Sequence, residues 1–260
     1  VSRWTDFTDR LSDSIIRNPT PGLKNDIINQ SGGYIRVFNT LGVKRDELVT
    51  WDIPPNYSEE ETEKLTIKDA RGRPVASQIT TKGQSGGKKI LFPAEVPSMG
   101  YRDYMIRTSS PGNDVAKTSA ARSISVDSLK DGTYLIESRY YRITIDPSMG
   151  GCIKSLVAKN FGKKEFVDQN SSHYFNELRG YFYDKGSFYS STAHPAKVRI
   201  PEKGPLRAKV KIMGTIASHP FTQTITLYHH QRRIDFDLII NWQSNPHIGA
   251  YSQEVNYKAE

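Results

Sequence analysis

The sequence predicts an all-β fold in two domains, preceded by one helix, and three observations lead there. From Gly204 to Trp242 the chain reads as three long strands: Leu206, Ala208, Val210 and Ile212 alternate with Arg207, Lys209 and Lys211. Further on, Ile234, Phe236, Leu238, Ile240 and Trp242 fall on one face, with Asp235 and Asp237 on the other. Side chains on a strand point alternately to its two sides, so this spelling predicts a sheet with one apolar and one wet face. Second, from Tyr34 to Thr108 short β-runs (YIRVFNT, ELVTWDI, KLTIKDA, PVASQIT, KKILFPAEV, YRDYMIRT) recur between Gly, Pro and Asn clusters, at the spacing of a small sandwich. Third, residues 111–127 are rich in Ser, Ala, Gly and Thr with little periodic apolar content, which predicts a linker. The resulting division is 1–27 helical, 28–110 a first β domain, 111–127 a linker and 128–260 a second β domain.

Taken in order, Trp4, Phe7, Leu11 and Ile15 recur at three- and four-residue spacing, so residues 2–17 predict one amphipathic helix, stopped by Asn18-Pro19 and Pro21-Gly22. A single helix of this length cannot bury its stripe alone. It is expected to pack on the β domains or to close a helical domain. After the linker, TYLIES, YYRITID and CIKSLVA read as strands joined by a tight turn at Asp146 to Gly151, and the three long strands follow. The start at Val1 and the absence of a signal-peptide apolar core in VSRWTDFTDRLSDSII suggest a segment of a longer protein.

Composition bounds the function. The 260 residues carry 36 Lys and Arg against 28 Asp and Glu, a formal charge of +8, but the basic residues are spread along the strands rather than clustered. Alternating Lys and Arg describe solvated faces better than a nucleic-acid footprint, so neither nucleic acid nor membrane is expected as a partner. Cys152 is the only cysteine, which excludes an internal disulfide framework, a thiolate metal cluster and a CxxC redox pair; its strand-like setting predicts a buried, inert thiol. Bacterial periplasm, cytoplasm and a lumenal compartment are all compatible with this.

Constellations that could carry chemistry are few. His229 and His230 are neighbours on a predicted strand and would point to opposite faces, so they cannot share a metal ion. His173, His194, His219 and His247 stand alone, with no HxH or HExxH spacing. Asp235 and Asp237 would lie about 6.6 Å apart on one face, near the carboxyl spacing of glycosidases, but on one strand and beside Arg232 and Arg233 they read as an ion-paired surface. Asn29, Asn56 and Asn170 open N-x-[ST] tripeptides, which arise often by chance. The tract Asn176 to Tyr189 (NELRGYFYDKGSFY) mixes Glu177, Arg179 and Asp184 with five aromatics and two glycines. Aromatic faces stack on sugar rings while Arg and carboxylates bond hydroxyls, so a carbohydrate contact at Arg179, Tyr181 and Tyr183 is one reading, and a tyrosine-rich hairpin packing on its own sheet is the other.

The order of segments carries a resemblance. Val37 to Pro54 (VFNTLGVKRDELVTWDIP), Val96 to Ile106 (VPSMGYRDYMI), Tyr140 to Asp168 (YYRITIDPSMGGCIKSLVAKNFGKKEFVD) and GPLRAKVKIMGTI followed by QTITLYHHQRRIDFDLIINW resemble the C-terminal β region of glycoside hydrolase family 38 α-mannosidases. Most specific is the pair formed by the GG-x-I-x-SL turn at Gly150 to Leu156 and R-R-I-D-F at Arg232 to Phe236. Ala158 departs from the family pattern, where an acidic residue is common before the lysine. The resemblance implies the end of a helical bundle, a small β-sandwich, and the opening, incomplete part of a galactose-mutarotase-like supersandwich. It also implies a zinc-dependent retaining enzyme acting on α-mannosides, whose catalytic residues and metal ligands lie in an N-terminal domain. The present chain would then hold no catalytic or metal-binding residue, would be inactive alone, and would partner carbohydrate and the rest of its polypeptide; an oligomer is compatible with this. The competing expectation is a free-standing carbohydrate-binding module stacking sugar on Tyr181, Tyr183, Phe188 and Tyr189.

Overall fold

A computed structural model describes residues 33–81, 87–108 and 124–249. The predicted helix over 2–17 and the Asn29 tripeptide lie outside them. The described chain is nearly all strand, β1 to β19, with one short α-helix, in line with the all-β expectation. Cα proximity divides it into two units, residues 1–75 with 93–115 and residues 76–92 with 116–260. One boundary falls between Phe92 and Pro93. Among the described residues no helix is long and apolar enough to cross a membrane.

In the first unit β1 (Tyr34–Asn39), β7 (Gly100–Thr108), β3 (Leu65–Asp69) and β4 (Pro74–Val75) form a sheet in the order β1-β7-β3-β4. Leu65, Ile67, Tyr104 and Ile106 turn into the core. On the opposite side Arg36 forks onto Asp103, its cross-strand partner, at 2.7 and 2.8 Å. Strands β2 (Arg45–Asp52), β6 (Lys88–Val96) and β5 (Gln78–Thr81) make a three-stranded sheet in the order β2-β6-β5. The run PVASQIT, read as one strand, is two, β4 and β5, separated at Ala76-Ser77. A helix that the β-patterned reading did not anticipate, α1 (Glu59–Glu63), starts at Ser58: the Ser58 hydroxyl accepts from Glu61 N and the Glu61 carboxylate accepts from Ser58 N. This reciprocal cap satisfies two otherwise orphaned donors and places three glutamates at the positive end of the helix dipole.

The second unit packs a five-stranded sheet against a four-stranded one. The first has the order β12-β11-β10-β9-β8, from β8 (Ser125–Ser128), β9 (Tyr134–Glu137), β10 (Tyr141–Asp146), β11 (Cys152–Ala158) and β12 (Lys164–Glu165). The second is β15-β16-β17-β18, from β15 (Lys197–Lys203), β16 (Arg207–Ile216), β17 (His219–Tyr228) and β18 (Ile234–Ile240). One apolar cluster joins them, with Val126, Ile136, Ile143, Ile145 and Ile153 from one side and Ala208, Val210, Ile212, Ile225 and Leu227 from the other. Strand β8 begins at Ser125, inside the stretch read as linker. Its polar spelling hid it, because only Val126 faces the core.

The double glycine of the β10–β11 turn has a steric cause. Gly150 and Gly151 both adopt positive φ, 67° and 78°. A Cβ on Gly150 would lie 2.1 Å from the Ser191 carbonyl oxygen, and one on Gly151 would lie 2.3 Å from Ile212 Cγ2. The turn can therefore sit directly on the facing sheet only without side chains. Cys152 follows it, buried, with its thiol pushed up to about 11 by desolvation. Inertness is what its strand-like setting predicted.

The long strands at 204–242 form as predicted in β16 and β17, where Leu206, Ala208, Val210 and Ile212 are fully buried. In β18 the prediction of a buried apolar face is corrected: Phe236, Leu238 and Trp242 are 41–44% exposed and Ile239 is 69% exposed. Only Ile234 and Ile240, at its two ends, pack on the core. β18 is the last strand of its sheet among the described residues.

Candidate functional site

The tract Asn176 to Tyr189 folds as a hairpin. Strands β13 (Arg179–Phe182) and β14 (Ser187–Ser190) pair in the register Arg179↔Ser190, Gly180↔Tyr189, Tyr181↔Phe188 and Phe182↔Ser187. A 3-10 turn over Tyr183–Lys185 joins them, closed by Gly186 at φ 62°. On the other edge β19 (Ile248–Gly249) pairs with Tyr181 and Phe182, so the sheet order is β14-β13-β19. Gly180 is required by closeness, since a Cβ there would lie 2.8 Å from Ile248 Cγ2.

Alternation gives the hairpin two unlike faces. Inward, Phe182 is fully buried, meets Tyr189 at 5.4 Å and stacks nearly parallel on the buried His219 ring at 5.8 Å and 8°. His219 Nδ1 accepts from Gln243 N, and Trp242 lies edge-on to the same imidazole at 5.1 Å. Outward, Tyr181 meets Phe188 at 5.2 Å and Tyr183 at 5.1 Å, both edge-to-face, and the Arg179 guanidinium lies 4.4 Å over the Phe188 ring. Edge-to-face pairs contribute about 0.5–1.5 kcal/mol each and an exposed cation–ring contact about 0.5–1 kcal/mol, enough to hold the three rings and the guanidinium in a fixed array.

Two ionisable groups position Arg179. Its Nη1 lies 3.1 Å from His173 Nε2. A guanidinium only donates, so Nε2 is the accepting atom of this contact, and Nδ1 faces Glu177 Oε2 at 3.6 Å. Glu177 is committed to structure: its carboxylate accepts from Tyr174 N at 3.0 Å and from the Ser190 hydroxyl at 2.5 Å. Asp184 accepts from His247 N at 3.3 Å, which ties the hairpin turn to the segment leading into β19. The loop before the hairpin is held by a reciprocal amide pair, Asn176 Nδ2 to Gln223 Oε1 at 2.6 Å and Gln223 Nε2 to Asn176 Oδ1 at 3.0 Å. Sequence reading missed His173 as the partner of Arg179, because the two meet only when the preceding loop is laid beside the hairpin.

The structure thus brings Arg179, Tyr181, Tyr183 and Phe188 together and sends Tyr189 to the other face. A platform using all four aromatics expected for a binding module is therefore reduced to three. This array can stack on a sugar ring and donate to hydroxyls. It holds no pair of carboxylates poised for acid–base work, because Glu177 is spent on backbone and serine bonds.

Elsewhere the expected surface roles take shape with one change. His229 and His230 lie in the bend after β17, not on a strand, and their rings meet edge-to-face at 4.6 Å. Asp235 pairs with Arg233 at 2.5 and 2.7 Å and accepts from Tyr228 Oη at 2.7 Å. The guanidinium holds that carboxyl below its ordinary range, and burial beside the carboxylate pushes Tyr228 up to about 12. Arg232 turns away, onto Tyr140. Among the described residues no three His, Cys, Asp or Glu side chains converge in a way that could hold a metal ion. The zinc implied by resemblance therefore finds no fitting donor set there.

Comparison with known proteins agrees with the architecture. The family model for the glycosyl hydrolases family 38 C-terminal domain matches residues 136–260. Lysosomal alpha-mannosidase of Cavia porcellus is 27% identical over 116 residues, covering 45% of this chain and 10% of that protein. Two solved structures from Enterococcus faecalis share the fold: a protein in glycosyl hydrolase family 38, at TM-score 0.59 and 14% identity, and an alpha-mannosidase, at TM-score 0.59 and 12% identity. Each match covers 92% of this chain and about a third of the solved one, 34% and 33% respectively. The present chain spans about a tenth of the length of the curated relative. Residues 136–260, just under half of the chain, are thus similar to the C-terminal domain of the family 38 glycosyl hydrolases.

Proposed function

We propose that this chain is the non-catalytic β portion of an α-mannosidase, a retaining glycoside hydrolase acting on α-mannosides, and that it supports the catalytic domain and contributes sugar contacts. The observation that carries the reading is the family match over residues 136–260. In this reading hydrolysis, and the zinc that serves it, belong to a catalytic domain outside this chain. The sugar-facing surface in this reading is Arg179, Tyr181, Tyr183 and Phe188. The test is an assay of the 260-residue chain on an aryl α-mannoside with added zinc. No turnover is expected, and metal-dependent turnover would overturn the assignment.

The exposed face of the β13–β14 hairpin favours a second reading, a carbohydrate-binding module that works alone. Calorimetry with manno-oligosaccharides separates the two. Millimolar or tighter binding by the chain alone, abolished in Tyr181→Ala and Arg179→Ala, would establish the module; binding weaker than that leaves the contact dependent on the rest of an enzyme.

A further inference from the structure

Two arginines on different elements converge on one tyrosine at the side of the second unit. Arg139 precedes Tyr140 in the β9–β10 turn, and its guanidinium carbon lies 5.4 Å from the Tyr140 ring centroid. Arg232, in the connection between β17 and β18, lies 5.5 Å from the same centroid. Both arginines are exposed. The backbone around them is pinned: Lys159 N donates to Tyr140 O at 2.8 Å, Tyr140 N donates to Ser138 Oγ at 3.3 Å, and Tyr141 Oη donates to Arg232 O at 3.2 Å.

The charge around this tyrosine does not balance. The acidic residues nearest in sequence, Glu137 and Asp235, are taken by other cations. Glu137 takes Lys159 at 2.6 Å and Arg142 at 3.2 Å, and Asp235 takes Arg233. Arg139 and Arg232 have no acidic partner among the described residues, and there their side chains meet the ring. A guanidinium held near a ring by cation–π attraction spends none of its N–H donors on that contact and keeps them for a planar or tetrahedral oxyanion. Like charges brought to one ring repel, and an anion shared between them removes that cost.

We propose that Arg139 and Arg232, held by Tyr140, form a binding site for a phosphoryl group, either free phosphate or a phosphate monoester carried on a sugar. The site draws one charge-assisted fork from each arginine, and the ring supplies apolar contact to whatever carries the phosphate. It uses other residues than the β13–β14 hairpin and stands whether or not that hairpin binds sugar.

The test is an NMR titration of the 260-residue chain with inorganic phosphate, with a hexose 6-phosphate and with the same hexose unphosphorylated, at constant ionic strength set by chloride. Saturable shifts of the Arg139 and Arg232 Nε–H signals are expected with a phosphorylated probe. The tighter of the two phosphorylated probes identifies the source. Arg139→Gln and Arg232→Gln should each weaken binding about tenfold or more, the equivalent of one lost charge-assisted bond. Both positions are exposed, and unchanged amide spectra elsewhere confirm that the variants fold. The proposal is overturned if the unphosphorylated hexose produces the same shifts, if no probe produces saturable shifts, or if the double variant titrates like the parent.

Discussion

Strands β17 and β18 lie side by side through seven paired positions and share an alternating spelling, yet they end in opposite environments. Ile225 is fully buried, while Phe236, the residue directly across from it, is 41% exposed. β17 sits between β16 and β18 and faces the sheet that carries Ile136, Ile143 and Ile145; β18 has a neighbour on one side only among the described residues and little above it. Alternation therefore determines which side chains share a face, and a second layer determines whether that face is dry. The stabilisation from an apolar side chain follows the area removed from water, about 25 cal/mol per Å², so the same residue type contributes very differently on the two strands.

The largest test of this contrast is a pair of truncations at one rung. Ile225→Ala should cost about 2–5 kcal/mol through lost burial and a residual cavity. Phe236→Ala should cost under about 1 kcal/mol in chemical denaturation, because half-exposed surface offers little to lose. Equal losses at the two positions would mean that β18 is covered as well as β17.

A second test reads the covered side through titration. The Cys152 thiol is buried beside Ser191 at the start of β11, and desolvation pushes it from its ordinary value of 9.0 up to about 11. A raised folded value means that the neutral thiol is favoured by folding, so the contribution is complete below pH 9 and is lost as pH rises to about 11. The expected loss is about 3 kcal/mol at 1.36 kcal/mol per pK unit, visible as a falling denaturation midpoint over that window and absent in Cys152→Ala. Alkylation of the native protein at neutral pH should be slow; rapid modification would contradict the burial.

The smallest expected effect tests what holds the β15–β16 end of the sheet. The buried Gln78 amide oxygen accepts from Leu206 N at 2.9 Å and Arg207 N at 3.0 Å, and its nitrogen donates to Arg207 O at 3.0 Å and Glu202 Oε1 at 2.8 Å. Gly204 makes room for it, since a Cβ there would lie 2.2 Å from the amide carbon. Gln78→Ala leaves these backbone donors unsatisfied and should cost about 1–3 kcal/mol, whereas the exposed Gln169→Ala should be nearly neutral. A neutral Gln78→Ala would show that water replaces the amide.

Much of the fold was legible because the strands spell themselves locally. β9, β10, β11, β16 and β17 are found where apolar alternation and turn residues placed them, and the tyrosine-rich tract forms a hairpin. What escaped had weak local signals: β8 and β15 carry mostly polar side chains, and α1 depends on a reciprocal cap rather than an apolar stripe. In the candidate site, Arg179, Tyr181 and Tyr183 could be singled out by composition. His173, which lies six residues before Arg179, and the turning of Tyr189 to the inner face could not be, since both depend on the hairpin register.

By itself the sequence determined the all-β class, the faces of the long strands, the inert cysteine and the resemblance of the second half to the family 38 C-terminal region. Those follow from side-chain chemistry and period, which act over a few residues. Tertiary structure alone decided which apolar face is covered, why the turn at 150–151 needs two glycines, and which cations keep no carboxylate. Each of these is settled by what lies opposite, Ile212 above Gly151 or Arg232 beside Tyr140, and two residues tens of positions apart meet only when the sheets close.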